Sequence, residues 1–192
     1  MRLRVPTLLF CAALAGCAGG EGGPEATETT QAAEATQAPA TTEPGDGLPT
    51  DALPATDRGA WVECPYLDTA RVAEANGQKV TGVGIDERFD PPACQYWSYP
   101  PEPQLTVVVR RMPSPQEAMA VVDWAMPIEF TSPADEPDGW NGGRHGGGEV
   151  PERPGAGYAV ARGDTAVVVL TNQNESVKAQ VVAEQVIANL GL

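Results

Sequence analysis

The chain has 192 residues and a formal net charge of -14, from 26 acidic against 12 basic side chains. That balance excludes the clustered Lys and Arg that neutralise phosphates, so nucleic acid is not an expected partner. It equally disfavours a domain lying flat on an anionic membrane, and Arg110-Arg111, the only basic pair, reads as a solvated strand end.

Arg2 and Arg4 precede an apolar run over residues 5–15. The run has signal-peptide length and falls short of the roughly 20 residues needed to cross a bilayer. Leu14-Ala15-Gly16-Cys17 follows and resembles the lipobox of bacterial lipoproteins: an aliphatic residue, two small ones that fit the peptidase, and the cysteine that is alkylated. Residues 1–16 are therefore expected to be a lipoprotein signal peptide. Cys17 is the expected lipidation site, carrying a diacylglyceryl group and an N-acyl chain, at the extracytoplasmic face of the bacterial cell membrane. An ordinary secretory cut nearby would instead leave Cys17 as a free thiol. Once Cys11 has left with the signal, Cys17, Cys64 and Cys94 remain, and lipidation accounts for the odd one. More than one acyl chain makes such anchoring stable.

Residues 17–56 hold no aromatic residue and no Lys or Arg, and are Ala-, Thr-, Glu-, Pro- and Gly-rich. Such a segment cannot bury enough apolar surface to offset its ordering entropy. It is expected to be a disordered acidic tether with a reach of roughly 35 Å by random-coil scaling. Its Thr-Pro character also permits O-glycosylation.

Residues 57–192 are expected to form a single globular domain. Helical spacing over 66–76 ends at Gly77, a residue suited to a helix stop. Residues 80–86 alternate as a strand, 86–92 form a turn, 94–99 a short aromatic strand, and 104–110 a strong β run. Ser114-Pro115-Gln116-Glu117 starts a helix with a capping box, predicted to run to about Met126. Ala118, Met119, Val122, Ala125 and Met126 share its core face, and Trp124 falls on the other, either exposed or under a second layer. Residues 131–154, rich in Gly, Pro and acids, read as a long loop that is functional or mobile. Strands over 157–162 and 165–171, joined by Gly163-Asp164, make a hairpin. The turn accounts for the Arg162-Gly163-Asp164 triplet without an adhesion role. Ala179, Val182, Ala183, Val186, Ile187 and Leu190 then draw the apolar stripe of a final helix over 175–190.

This order predicts an α+β fold, a mostly antiparallel sheet packed with helices in an α/β/α sandwich. Cys64 and Cys94 are the expected disulfide, whose closure of about 30 residues stabilises by about 3.6 kcal/mol on the chain-entropy scale. A metal or redox pair would need closer spacing or further ligands.

The segments Glu63-Cys64-Pro65-Tyr66-Leu67, Gly84-Ile85-Asp86 and Cys94-Gln95-Tyr96-Trp97 resemble a family of actinobacterial envelope lipoproteins of unknown function, over about residues 57–192. The element order is also similar to Mog1/PsbP-like sandwiches of other actinobacterial lipoproteins, an analogy of fold. The resemblance implies an envelope location and carries over no catalytic residue.

No catalytic constellation stands out, and an enzyme is not expected. His145, the only histidine, sits among five glycines in 142–148, a stretch that lacks both the ending and the preceding strand of a phosphate loop. Two acidic groups, Asp86, Glu87 and Asp90, and Asp135, Glu136 and Asp138, lack the ligand alternation of a calcium loop. No metal and no cofactor beyond the Cys17 lipid are expected. What remains is binding. Tyr96, Trp97, Tyr99, Trp124, Trp140 and His145 are the candidate binding surface, gated by the 131–154 loop. Tyr96 and Trp97 point to opposite strand faces, so the rival reading makes both of them core of a sandwich covered on both sides. The expected function is a non-enzymatic, monomeric adaptor for another envelope protein. The alternative is a carrier of a lipid, glycolipid or other small apolar ligand. A carrier needs an internal cavity; an adaptor needs an exposed patch such as one including Trp124.

Overall fold

The computed structural model describes residues 45–135 and 137–192. The signal peptide, Cys17 and the tether as far as residue 44 lie outside the described residues. Chain order is α1 (Thr69–Asn76), β1 (Gly82–Asp86), β2 (Ala93–Trp97), β3 (Pro103–Arg111), α2 (Pro115–Ala125), β4 (Ser132–Asp135), β5 (Asn141–His145), β6 (Gly157–Arg162), β7 (Thr165–Thr171) and α3 (Ser176–Leu190). The strands form one antiparallel sheet in the order β1-β2-β3-β7-β6-β5-β4.

The central strands β3 and β7 carry unbroken apolar runs, Val107-Val108-Val109 and Ala166-Val167-Val168-Val169, because both of their faces are covered. On one face Leu105, Val107, Val109, Val167 and Val169 meet Val72 of α1 and Ala179, Val182, Ala183 and Val186 of α3. On the other, Val108, Ala159, Ala161, Ala166 and Val168 meet Ala118, Val121, Val122 and Ala125 of α2. The architecture is the α/β/α sandwich that the element order implies, and Cys64 and Cys94 are disulfide-bonded with their Cα atoms 5.8 Å apart.

Local chemistry sets the helix ends. The Ser114 hydroxyl accepts from Glu117 N, with Pro115 at the first helical position. Gly77 and Gly191 close α1 and α3 in the left-handed region, at φ 68° and 64°. The first helix starts three residues later than the spacing predicts, since Asp68, which accepts from Arg71 N, is a better cap than anything before Tyr66.

Three expectations are corrected. The stretch 131–154 is not one long loop: β4 and β5 lie in it and extend the sheet past β6. Its glycines serve close approach. A Cβ at Gly142 would lie 2.0 Å from Ala159 O, and one at Gly143 would lie 2.9 Å from Met126 Cβ. The tether does not continue to residue 56 either, because residues 45–56 lie against the α2 side of the sheet as a strap. There Leu48 and Ala52 pack on the core, Ala55 N donates to Asp86 at 2.9 Å, and Thr56 Oγ1 donates to Gln95 at 2.9 Å. Nor is Arg110 a solvated strand end. It is buried, ion-paired with an equally buried Asp46 and stacked over Phe89, and it donates to the Leu48 and Pro49 carbonyls at 2.9 and 3.0 Å. That cation lashes the strap to the sheet.

Candidate functional site

The α2 face is covered unevenly. Helix α2, of 11 residues, lies mainly over β5–β7, and the strap covers the β1–β3 side. Between them runs a cross-sheet row of register partners: Gln95 of β2, Thr106 of β3, Leu170 of β7, Gly157 of β6 and His145 of β5. Gln95, Thr106, Leu170 and His145 of this row line a cleft of about 330 Å³, walled by Leu53 and Pro54 of the strap and by residues 152–156 of the β5–β6 connection. An adjoining depression of about 530 Å³ shares Leu53, Arg153 and Leu170 and adds Trp124, Phe130 and Val150. Leu53 and Phe130 are 51% and 44% exposed, so this region presents apolar surface to solvent.

Arg153 divides the two hollows. Its guanidinium donates to the Trp124 and Ala125 carbonyls and stacks over the Trp124 ring at 5.1 Å. Those carbonyls belong to the last turn of α2, where no intrahelical donor reaches them, and a cation there also suits the helix dipole. No carboxylate pairs with Arg153 among the described residues, and burial pushes its pKa below the ordinary arginine value. The preceding Glu152 adopts φ 63°, an unusual backbone state for a non-glycine residue, at the turn that directs Arg153 inward.

The six aromatic and histidine candidates do not assemble into one surface. Tyr96 is core: its hydroxyl donates to Leu67 O beneath α1 and α3, and desolvation raises its pKa far above the usual phenol value. Trp97 is buried too, as the sandwich reading of this pair requires. Trp140 is buried with Arg162 stacked 5.0 Å from its ring, so the gating-loop picture is corrected at that residue. Tyr99 is 73% exposed in the β2–β3 turn, where its carbonyl accepts from Arg58, and it does not line the cleft. Trp124 is half-buried beneath Arg153. His145 lies on a strand, not in a mobile loop, and is 2% exposed. Of the six, only Trp124 and His145 line the paired hollows.

Leu53, Thr106, Phe130, Arg153 and Leu170 complete the site and carry no motif. Leu48 and Leu53 did leave a trace, as the only large apolar residues between positions 18 and 56. In the acidic turn at 86–90, Asp86 is engaged internally: Arg88 hydrogen-bonds it and holds its carboxyl down at about 2, and Ala55 N donates to the same group. Among the described residues no three His, Cys, Asp or Glu side chains gather as a metal site.

A domain of unknown function, DUF2020, matches residues 48–192. The chain belongs to that family. No curated protein matches it. The DUF2020 match begins at Leu48, inside the strap, in agreement with the contacts that make residues 48–56 part of the folded unit. Both hollows of the α2 face are thus built wholly from residues of the DUF2020 domain.

Proposed function

We propose that this DUF2020 chain is a lipid-anchored binding module, without enzymatic activity, that docks a second protein of the bacterial cell envelope through the apolar hollow around Leu53, Trp124 and Phe130. One observation carries the reading: exposed Leu53 and Phe130 share a depression with Trp124, Val150 and Leu170 on the less covered sheet face. Exposed apolar surface gathered in one place, rather than scattered, is the usual mark of an interaction site. The anchoring half of the reading rests on the Leu14-Ala15-Gly16-Cys17 motif. The acidic, low-complexity sequence that follows it supports a spacer between the membrane and the domain.

Site-specific photo-crosslinking in the native host tests the docking. A crosslinker replacing Phe130 is expected to capture one partner protein, and the same crosslinker replacing Glu184, exposed on α3, is expected to capture none. Capture from both positions alike, or from Glu184 alone, contradicts the docking site. Anchoring is tested separately by Cys17→Ala, which is expected to move the protein from the membrane to the soluble fraction.

A further inference from the structure

The smaller of the two hollows is lined by a residue with a polar atom that the fold does not use. His145 Nδ1 lies 2.9 Å from Gly146 O. A carbonyl can only accept, so Nδ1 carries the proton, and in the neutral ring Nε2 is then a lone-pair acceptor. His145 Nε2 is buried and has no hydrogen-bond partner among the described residues. Buried side-chain acceptors in folded proteins are nearly always paired, so an orphan in a cleft asks for a donor from outside the chain.

The neighbouring residues keep that atom available. A Cβ at Gly157 would lie 2.7 Å from Nε2 and 2.5 Å from Met126 Cε, so only glycine lets the ring lie across β6 toward Leu170. The other polar groups of the floor are engaged: Gln95 Nε2 donates to Thr106 Oγ1, and Gln95 Oε1 accepts from Thr56. The Arg153 guanidinium is engaged by the carbonyls that end α2. Leu53, Pro54, Pro103, Pro154 and Leu170 make the remaining wall largely apolar, and the exposed Glu102 and Glu152 are its charged members. We propose that this cleft binds a small apolar molecule carrying a hydroxyl or N–H donor, with His145 Nε2 accepting from that donor and the apolar wall enclosing the rest. At about 330 Å³ the cleft is at the small end of ligand sites, suited to one or two fused rings or a short aliphatic chain. The two hollows share Leu53, Arg153 and Leu170, yet His145 lines only this cleft, so ligand binding here stands or falls without the docking of a partner.

His145 is the only histidine, so selective ¹⁵N-histidine labelling of the full chain in detergent reports on this ring alone. The probes are 2-naphthol, which has an apolar body and an O–H donor, and 2-methoxynaphthalene, which keeps the body and lacks the donor. The expected result is a free ring protonated at Nδ1, with an Nε2 resonance that shifts saturably on addition of 2-naphthol while Nδ1 stays nearly constant. The methoxy compound binds about tenfold more weakly, the scale of one lost hydrogen bond at a buried acceptor. His145→Phe retains a ring and removes the acceptor, and it brings the two affinities together. Four results overturn the proposal: a ring protonated at Nε2, equal affinity of wild type for the two probes, no saturable shift, or an Nε2 already bonded to a water that 2-naphthol does not displace. The wild-type titration decides between these even if the variant fails to fold.

Discussion

The two faces of the sheet are built from the same valines and alanines and finished differently. On one face α3, of 15 residues, and α1 lie over the central strands, and the Cys64–Cys94 disulfide and the Tyr96–Leu67 hydrogen bond tie the edge down. On the other, an 11-residue helix reaches only part of the sheet, and irregular chain covers the rest. A helix offers regular ridges that fit a sheet closely; a strap and a turn cannot, and the hollows lie between them. The contrast locates the hollows of this domain on the face that the helices leave unfinished.

The strongest way to break this arrangement is through the lash. Arg110→Ala leaves Asp46 buried without its cation and is expected to cost about 3–5 kcal/mol, measured by urea denaturation. The double change Asp46→Ala with Arg110→Met should recover part of that loss, because it removes both buried charges. On the closed face, removing the disulfide with Cys64→Ser and Cys94→Ser is expected to cost about 2–5 kcal/mol.

A matched pair of truncations sharpens the contrast. Val186→Ala, in the sealed layer under α3, should cost about 2 kcal/mol. Leu170→Ala removes a larger side chain but borders an existing hollow, and should cost only about 1 kcal/mol. If Leu170→Ala is the costlier change, the α2 face is as tightly finished as the other.

A smaller effect follows from pH. Asp86 holds both Arg88 and the strap amide of Ala55, and its folded pKa, about 2, lies below the ordinary carboxylate value. The stability it contributes is therefore complete above about pH 4 and lost as pH falls toward 2. In Asp86→Asn that part of the acid sensitivity should vanish. Smallest of all, Phe130→Ser should change stability by less than about 0.5 kcal/mol, because a surface side chain away from the core is being replaced. Its effect belongs to partner capture.

The regular parts of this molecule were legible in sequence because repeating patterns specify them. The apolar stripe of α3, the Ser114-Pro115 start of α2, the Gly163-Asp164 hairpin and the cysteine pair all resolve as read. The strap was not legible, because its attachment depends on contacts with residues far away in sequence, among them an ion pair between positions 64 residues apart, and composition alone marks residues 45–56 as spacer. β5 was hidden for a related reason. Glycine lowers strand propensity, yet Gly142 and Gly143 are required where Ala159 and Met126 press against the strand. That misreading placed His145 in a loop, and only the register of β5 with β6 brings it into the row with Leu170, Thr106 and Gln95. Trp140 misled in the opposite direction, drawing the eye as a binding group in a loop when it is core, whereas burial of Tyr96 and Trp97 follows from a sandwich covered on both sides.

One face of the sheet is sealed by helices, and the other is closed by strap and turn. Amide hydrogen exchange on the full chain tests this contrast most directly. Ala52, Ala55 and Arg153 are expected to exchange through local opening, with protection well below that of Val168 and Val169 in β7 or Val182 and Val186 in α3. Equal protection on both faces would show that strap and turn open only when the whole domain unfolds, and would contradict it.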